Sequence, residues 1–338
     1  MRNTILQAGA ASMRRRPARS LSAWSAAAVL VLCGAMLPRA HAQAPSDRIR
    51  VVATFSILAD MVREVGGDRI DIQAIVGPNG DAHAFEPTPR DARALGAAQV
   101  LVRNGLGFEG WLPRLLDAAG FKGLDVVASD GVRPRVLGDE EQALEAHGHE
   151  THDHEPHGHG HAGDVDPHAW QDLSNGVIYV RNIARGLAAA DPAHADEYRR
   201  RADAYALRLQ DEDRAWRNDL EAVPPARRVM MTTHDAFGYL GQAYGIRIVS
   251  VLGLSSEAEP AAGALARIID QIRDRGIRAM FLEKAVNPTL MRRITQETGA
   301  RIGGTLYSDT LDAPGAPAGT YLGMFRWNAR LILEAMRG

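Results

Sequence analysis

Histidine is the residue type through which this sequence could do chemistry, and most of its histidines lie in one short stretch. Seven follow one another at intervals of two or three residues, among glycine, proline and acidic residues: His147, His149, His152, His154, His157, His159 and His161. Neutral imidazole is the commonest metal ligand among side chains. The run fits no helix or strand period, and residues 136–170 contain no Lys or Arg. We therefore predict an acidic, His-rich loop at 136–165 that is disordered over most of its length and binds metal weakly at several points. A solvated linker whose histidines bind little metal is the alternative.

Four further side chains lie outside the loop, at the ends of predicted strands or next to a predicted helix, where a rigid scaffold could hold them in place. His83 and His234 each fall just past a predicted strand, Asp309 follows the last predicted strand, and His168 borders the loop in the stretch DPHAW. A single His or Asp at such a junction is most often a cap or turn residue, so spacing alone leaves their convergence open. If they converge, three imidazoles and one carboxylate form a full tetrahedral set for Zn²⁺. A complete protein set leaves no position for a reacting water, which favours binding over catalysis.

The scaffold is predicted from two stretches in which strands alternate with helices. Strands are predicted at 50–55, 70–76, 99–103, 124–128, 228–232, 246–251, 278–282 and 302–306. The helices predicted between them include those at 108–119, 234–244 and 256–275. This alternation is typical of the α/β class, with (β/α) lobes built on mainly parallel sheets. Ligands of such sheets bind at the carboxyl ends of the strands, where the loop GPNGDAHAFEP places His83.

One long helix is predicted at 192–221, between the two alternating stretches. Tyr, Ala, Leu and Trp recur on one of its faces. At 1.5 Å per residue it would be roughly 45 Å long, which is enough to bridge two lobes. The pattern fits an ordinary surface helix equally well.

The first 42 residues are typical of a secretory signal peptide. Arginines precede a short apolar core, and AHA at 40–42 is a small-x-small cleavage site, so the mature chain is predicted to begin near Gln43. Cys33 is the only cysteine and lies inside the apolar core. Leu32 before it is too large for a lipoprotein cleavage site, so we do not expect a lipid anchor. The mature chain would then hold no disulfide and no thiolate metal ligand.

The predicted mature chain is acidic. The signal peptide contains six arginines and no acid, which leaves 33 basic against 41 acidic side chains, a net charge of −8 with His neutral. A negative chain without basic clusters is a poor candidate for nucleic-acid binding. Its 296 residues exceed one typical core, so two domains are expected.

Four stretches of the chain resemble a known family. GDAHAFEPTPRD at 80–91, DPHAWQDL at 166–173, TTHDAFGYL at 232–240 and GGTLYSDTL at 303–311 are similar to the ligand motifs of the zinc/manganese-binding proteins of bacterial ABC importers, solute-binding protein family 9, cluster A-I. The resemblance covers the predicted mature chain in order, including a His-rich loop before the second motif. It implies two (β/α) lobes joined by one long rigid helix, with the metal in the cleft between them. The ligands it implies are His83, His168, His234 and Asp309.

The resemblance also implies a domain organisation and a biological role. It divides the chain into a signal peptide (1–42), an N-terminal metal-binding lobe (43–190), a connecting helix (191–222) and a C-terminal metal-binding lobe (223–338). The implied role is that of a periplasmic receptor, not an enzyme, which delivers Zn²⁺ to an inner-membrane ABC permease driven by a cytoplasmic ATPase. We expect a monomer, and a periplasmic zinc chaperone is a candidate partner.

The identity of the metal and two other functions stay open at this point. In the family's manganese branch the third motif usually carries Glu, whereas His234 stands here, so the donor set favours Zn²⁺ with Mn²⁺ as the alternative. A periplasmic zinc buffer or chaperone would use the His-rich loop. A secreted zinc hydrolase would need Glu86 as general base, and no HExxH motif supports it. Glu86 and Asp235 beside the site histidines are candidate partners for the imidazole N–H groups.

Overall fold

The computed structural model describes residues 48–136, 165–252 and 279–337, with a few isolated positions between 266 and 277. The predicted signal peptide, the seven histidines of the loop and most of the helix predicted at 256–275 lie outside the described residues. Within the described part of the chain, no helix is both long and apolar enough to cross a membrane.

The first lobe is built on four parallel strands. These are β1 (Ile49–Phe55), β2 (Ile70–Val76), β3 (Val100–Arg103) and β4 (Leu124–Val127), arranged in the order β2-β1-β3-β4. Six of the seven residues of β1 are buried, because helices cover both faces of a parallel sheet. The described helices of this part are α1 (Ser56–Gly66), α2 (Pro89–Ala97) and α3 (Leu112–Ala119).

The second lobe repeats the same arrangement. Strands β5 (Val229–Thr232), β6 (Arg247–Ser250), β7 (Ala279–Glu283) and β8 (Arg301–Leu306) are parallel and follow the order β6-β5-β7-β8. Its described helices are α6 (Gly238–Tyr244), α7 (Thr289–Thr298) and α8 (Tyr321–Arg337). In both sheets the first strand of the lobe lies inside and the order reverses beside it, which is where parallel sheets bind ligands.

Two long helices lie between the sheets along the chain, α4 (Leu173–Ala190) and α5 (Ala195–Glu221). The 27 residues of α5 extend over roughly 40 Å. At its midpoint Arg208 pairs with Glu64 of the first lobe at 2.9 Å. In its second half the Trp216 ring packs against Tyr244 and Phe325 of the second lobe. The helix therefore joins the two lobes, and the predicted fold class is confirmed; the lobe boundaries themselves stay predictions.

Two predicted helices begin later than the sequence pattern suggested. The helix predicted from Phe108 begins at Leu112, since Pro113 has no N–H and is accommodated only in the first turn. The helix predicted from His234 begins at Gly238. The carbonyl of His234, which would accept from Gly238 in that helix, accepts instead from the Thr232 hydroxyl and from the backbone N–H of Ala236, each at 3.0 Å.

A pair of leucines on α5 tests how much the long helix depends on burial. Leu209 is fully buried, whereas Leu207, two positions earlier, is 61% exposed. We expect Leu209→Ala to lower the free energy of unfolding by about 2–5 kcal/mol, because it leaves a cavity. The matched Leu207→Ala should change it by less than about 0.5 kcal/mol. Urea unfolding of the metal-free protein measures both, and equal effects would contradict the packing of α5 described here.

Candidate metal centre

Four of the predicted site residues lie together. His83, His168, His234 and Asp309 each offer one ligand atom, and these atoms all lie within 4.8 Å of one another. The Nε2 atoms of His83 and His168 are 3.2 Å apart, and Nε2 of His234 is 3.0 Å from Oδ2 of Asp309. The side chains of His168 and His234 are completely buried, and those of His83 and Asp309 are 10% and 9% exposed. We call these residues the four-residue cluster.

His83 lies on the loop between β2 and α2. The Asp81 carboxylate accepts the backbone N–H groups of His83 and Ala84, at 2.9 and 3.2 Å, which closes a tight turn around the histidine. The Trp111 indole donates to the carbonyl of Ala82 at 2.9 Å and fixes the loop on the first lobe. The Phe108 ring meets the imidazole edge-on, with the ring centres 4.9 Å apart.

His168 is held by the aspartate two residues before it. One oxygen of Asp166 accepts both the backbone N–H of His168 at 2.9 Å and its Nδ1–H at 2.8 Å. The other oxygen accepts from Arg135 at 3.0 Å, which balances the buried charge. A proton fixed on Nδ1 leaves the Nε2 lone pair free, and Nε2 is the atom that faces the rest of the cluster.

His234 follows β5 and is completely buried. Its Nδ1 lies 2.7 Å from Oε2 of Glu283, at the end of β7. Neither atom makes a well-aligned hydrogen bond with any described residue, so this is a close charge contact rather than a linear bond. The side chain of Glu283 is also completely buried.

Asp309 follows β8 and is held from the first lobe. The carbonyl of Ser308 accepts from Trp170 Nε1 and from Gln171 Nε2, each at 2.9 Å. The backbone N–H of Leu311 donates to the hydroxyl of Ser56 at 3.0 Å. The segments that carry His168 and Asp309 are therefore hydrogen-bonded to each other across the lobes.

Burial and neighbouring charges shift the pKa values of the cluster. Burial lowers the pKa of His83 to about 4, although the Asp309 carboxylate opposes the shift. Burial alone would raise the pKa of Asp309, but the imidazoles of His234 and His168 outweigh it and hold that pKa well below its usual range. Burial alone would also lower the pKa of His234, yet Glu283 and Asp309 outweigh it and hold that pKa well above its ordinary value.

Two carboxylates that the sequence did not suggest contact the imidazoles. Asp166 and Glu283 lie against Nδ1 of His168 and His234, whereas Glu86 is exposed and Asp235 is buried next to His234 in the chain. A role for Glu86 and Asp235 stays a prediction. Asp166 could have been found from its place two residues before His168. Glu283 is 49 residues from its partner, and only its predicted position at a strand end could have indicated it.

The arrangement suits a bound cation. Three imidazoles and one carboxylate converge on one buried point, and the chemistry of these donors fits a divalent metal ion. If each side chain gave one atom to an ion, the four would fill a tetrahedral set and leave no position for a substrate or an attacking water. Holding an ion is therefore the chemistry that this site can perform.

Comparison with known proteins agrees with the fold and with binding of a divalent metal. Residues 51–335 match the family model described as ZnuA, zinc-uptake complex component A, periplasmic. The iron ABC transporter substrate-binding lipoprotein MtsA of Streptococcus pyogenes is 30% identical over 330 residues, which cover 96% of this chain and 99% of MtsA. The manganese ABC transporter substrate-binding lipoprotein PsaA of Streptococcus pneumoniae is 28% identical over 297 residues, 86% of this chain and 90% of PsaA. The solved structure of the periplasmic zinc-binding protein TroA from Treponema pallidum is 26% identical, with a TM-score of 0.74 over 86% of this chain and 99% of TroA.

Fold, site and relatives together define an extracytoplasmic metal-binding receptor of an ABC importer, which works with a membrane permease and its ATPase and is not an enzyme. The chain belongs to the ZnuA family of such receptors. The hydrolase alternative is thereby excluded. MtsA and PsaA are named as lipoproteins, so the comparisons do not support our expectation that this chain lacks a lipid anchor.

The shifted pKa values predict how metal binding depends on pH. A metal binds neutral imidazole, so it must displace the proton that His234 retains at neutral pH, whereas His83 is already neutral. We expect the affinity to rise between about pH 6 and pH 8, with release of about one proton from the cluster. Calorimetric titrations in two buffers of different ionisation enthalpy count that proton. Deleting 147–161 removes the contribution of the loop imidazoles, and an affinity independent of pH would contradict the prediction.

Proposed function

We propose that this protein is the periplasmic zinc receptor of an ABC importer, with His83, His168, His234 and Asp309 as the ligands of the Zn²⁺ that it carries. Zn²⁺ is bound in the cleft between the lobes and is delivered to the permease. The protein holds the ion and performs no reaction on it. Because one chain supplies all four ligand atoms, we also propose that it acts as a monomer.

The observation that carries the proposal is the donor set. Three imidazole nitrogens and one carboxylate oxygen offer an environment that suits Zn²⁺ better than Mn²⁺, which prefers oxygen ligands. The relatives do not decide between metals, since they are named for iron, manganese and zinc. The third imidazole, that of His234, therefore carries the preference. A manganese receptor of the same type is the alternative.

A zinc buffer or chaperone is the second alternative, and it differs in stoichiometry. It would bind several ions through the loop histidines at 147–161, without one dominant site. We propose that these histidines bind zinc weakly and help to load the cleft, either directly or together with a periplasmic zinc chaperone. The signal peptide at 1–42, with cleavage before Gln43 and no lipid at Cys33, also stays a proposal, which the mass of the exported protein tests.

A competition titration with a zinc chelator, combined with native mass spectrometry, tests the receptor. We expect one tight Zn²⁺ per mature chain, with Mn²⁺ bound more weakly, and tight binding that survives deletion of 147–161. His234→Ala should weaken Zn²⁺ binding by at least roughly 100-fold, since even the loss of outer-shell partners costs 10–100-fold. His194→Ala is the matched control. His194 contacts Asp191 and lies outside the four-residue cluster, so its loss should leave binding unchanged.

Each alternative has its own outcome in this experiment. Tight binding that disappears with the loop and is indifferent to His234→Ala would overturn the cleft site in favour of the buffer. Tighter Mn²⁺ than Zn²⁺ binding, with the same dependence on His234, would retain the receptor and overturn the choice of metal.

A further inference from the structure

Glu283 is a buried carboxylate whose two oxygens both serve His234. It is the last residue of β7, and its side chain is completely buried. It lies outside the four sequence motifs and outside the four-residue cluster. Oε1 accepts the backbone N–H groups of Thr233 and His234, at 2.7 and 2.9 Å. Oε2 lies 2.7 Å from Nδ1 of the same histidine. One side chain therefore holds the backbone of His234 and contacts its ring.

The ring contact decides which imidazole nitrogen faces the cluster. A neutral imidazole carries its proton on one nitrogen and a lone pair on the other, and a carboxylate beside Nδ1 retains the proton there. Nε2 of His234 lies 3.0 Å from Asp309, at the centre of the cluster. Once an incoming metal displaces the second proton of the ring, Nε2 presents its lone pair there. Without the carboxylate the ring could carry its proton on Nε2, where it would obstruct a metal ion.

The charge of Glu283 is balanced differently from that of Asp166. Asp166 contacts Nδ1 of His168 in the same way, but it also pairs with Arg135 at 3.0 Å. Among the described residues, no Lys or Arg lies within ion-pair distance of Glu283, and His234 is the only ion-pair partner. A buried carboxylate without a cation is unfavourable, so a positive ion on His234 offsets the charge of Glu283.

We propose that Glu283 is a positioning residue for metal binding, which holds His234 with Nε2 towards the ion and strengthens that nitrogen as a donor. This inference rests on the proposed zinc site. It assigns Glu283 no direct contact with the metal. Its effect passes entirely through His234.

Glu283→Gln is the most informative variant, because glutamine has the same shape as glutamate and the backbone N–H groups determine how its amide is oriented. The N–H groups of Thr233 and His234 need an acceptor, so the amide oxygen takes the place of Oε1 and the amide NH₂ faces Nδ1. A donor at that place favours the tautomer with its proton on Nε2. We expect the Zn²⁺ affinity of the mature chain to fall by about 10–100-fold, as for other outer-shell partners.

A second readout separates positioning from general stability. Co²⁺ bound at the site reports the geometry of its ligands through its visible absorption bands. We expect Glu283→Gln to change these bands for the first equivalent of Co²⁺ at a temperature at which circular dichroism shows both proteins to be folded. A double-mutant cycle gives a third readout. In the His234→Ala background, Glu283→Gln should cause no further loss of affinity, because its effect acts through the imidazole.

Glu109→Gln is the matched control in the first lobe. Glu109 is also buried, and it accepts backbone N–H groups from Asn104 and Gly105, at 2.6 and 3.2 Å. Asn104 in turn donates to the carbonyl of Pro167, beside His168. Glu109 thus fixes a loop next to the cluster, but no described contact joins it to an imidazole. If fixing a loop were enough, both variants would lose affinity; we expect the loss only in Glu283→Gln.

The outcomes distinguish this inference from the proposed function. Wild-type affinity and an unchanged Co²⁺ spectrum in Glu283→Gln would overturn the inference and leave the receptor intact. An equal loss in the His234→Ala background would overturn it as well. Failure of the wild-type chain to bind a metal tightly would overturn the proposed function itself. If Glu283→Gln does not fold, Glu283→Asp takes its place: it retains the charge, withdraws it from Nδ1, and should still weaken binding and shift the Co²⁺ bands.

Discussion

The Nε2 atoms of His83 and His168 lie 3.2 Å apart in a cleft from which water is nearly excluded. The protonation of the whole site depends on this contact. Asp166 keeps the proton of His168 on Nδ1, so Nε2 of His168 presents a lone pair to His83. Two lone pairs at this distance repel each other unless a proton or a metal ion lies between them. Burial lowers the pKa of His83 to about 4, so its ring carries a single proton at neutral pH. That proton can lie on Nε2 and be donated to His168, and a metal ion bound between the two nitrogens would take its place.

The two lobes reach this geometry through contacts that do not involve a metal. Trp170 and Gln171 follow His168 directly and donate to the carbonyl that precedes Asp309. Tyr321, the first residue of α8, donates its backbone N–H to Asp60 of α1 and its hydroxyl to the carbonyl of Trp170. Because these bonds join the ligand-bearing segments directly, little ordering is left for the ion to induce, and preorganisation of this kind favours affinity.

The sequence was most informative where local chemistry decides the structure. The strands were predicted because runs such as RVVATF are apolar on both faces, and every described strand lies within two residues of its predicted bounds. His83, His168, His234 and Asp309 could be singled out because each stands at the end of an element. The tertiary contacts were not accessible in this way. Glu283 lies 49 residues from His234, and no local pattern indicates that it accepts the backbone N–H groups of Thr233 and His234.

Both lobes bury a glutamate against the backbone of a strand-end loop, and the difference between the two glutamates bears on how the site is built. Glu109 also accepts from the hydroxyl of Thr54 at 2.7 Å, so both of its oxygens are bound to uncharged donors. Glu283 has one oxygen on backbone N–H groups and one on an imidazole. A carboxylate that accepts only from uncharged donors stabilises the loop and nothing else. A carboxylate that faces an imidazole also stabilises, through its negative charge, a cation bound to that imidazole. The second lobe therefore offers an ion a negative charge in addition to its ligand atoms. The same glutamate that holds the loop after β5 places that charge next to the ring of His234.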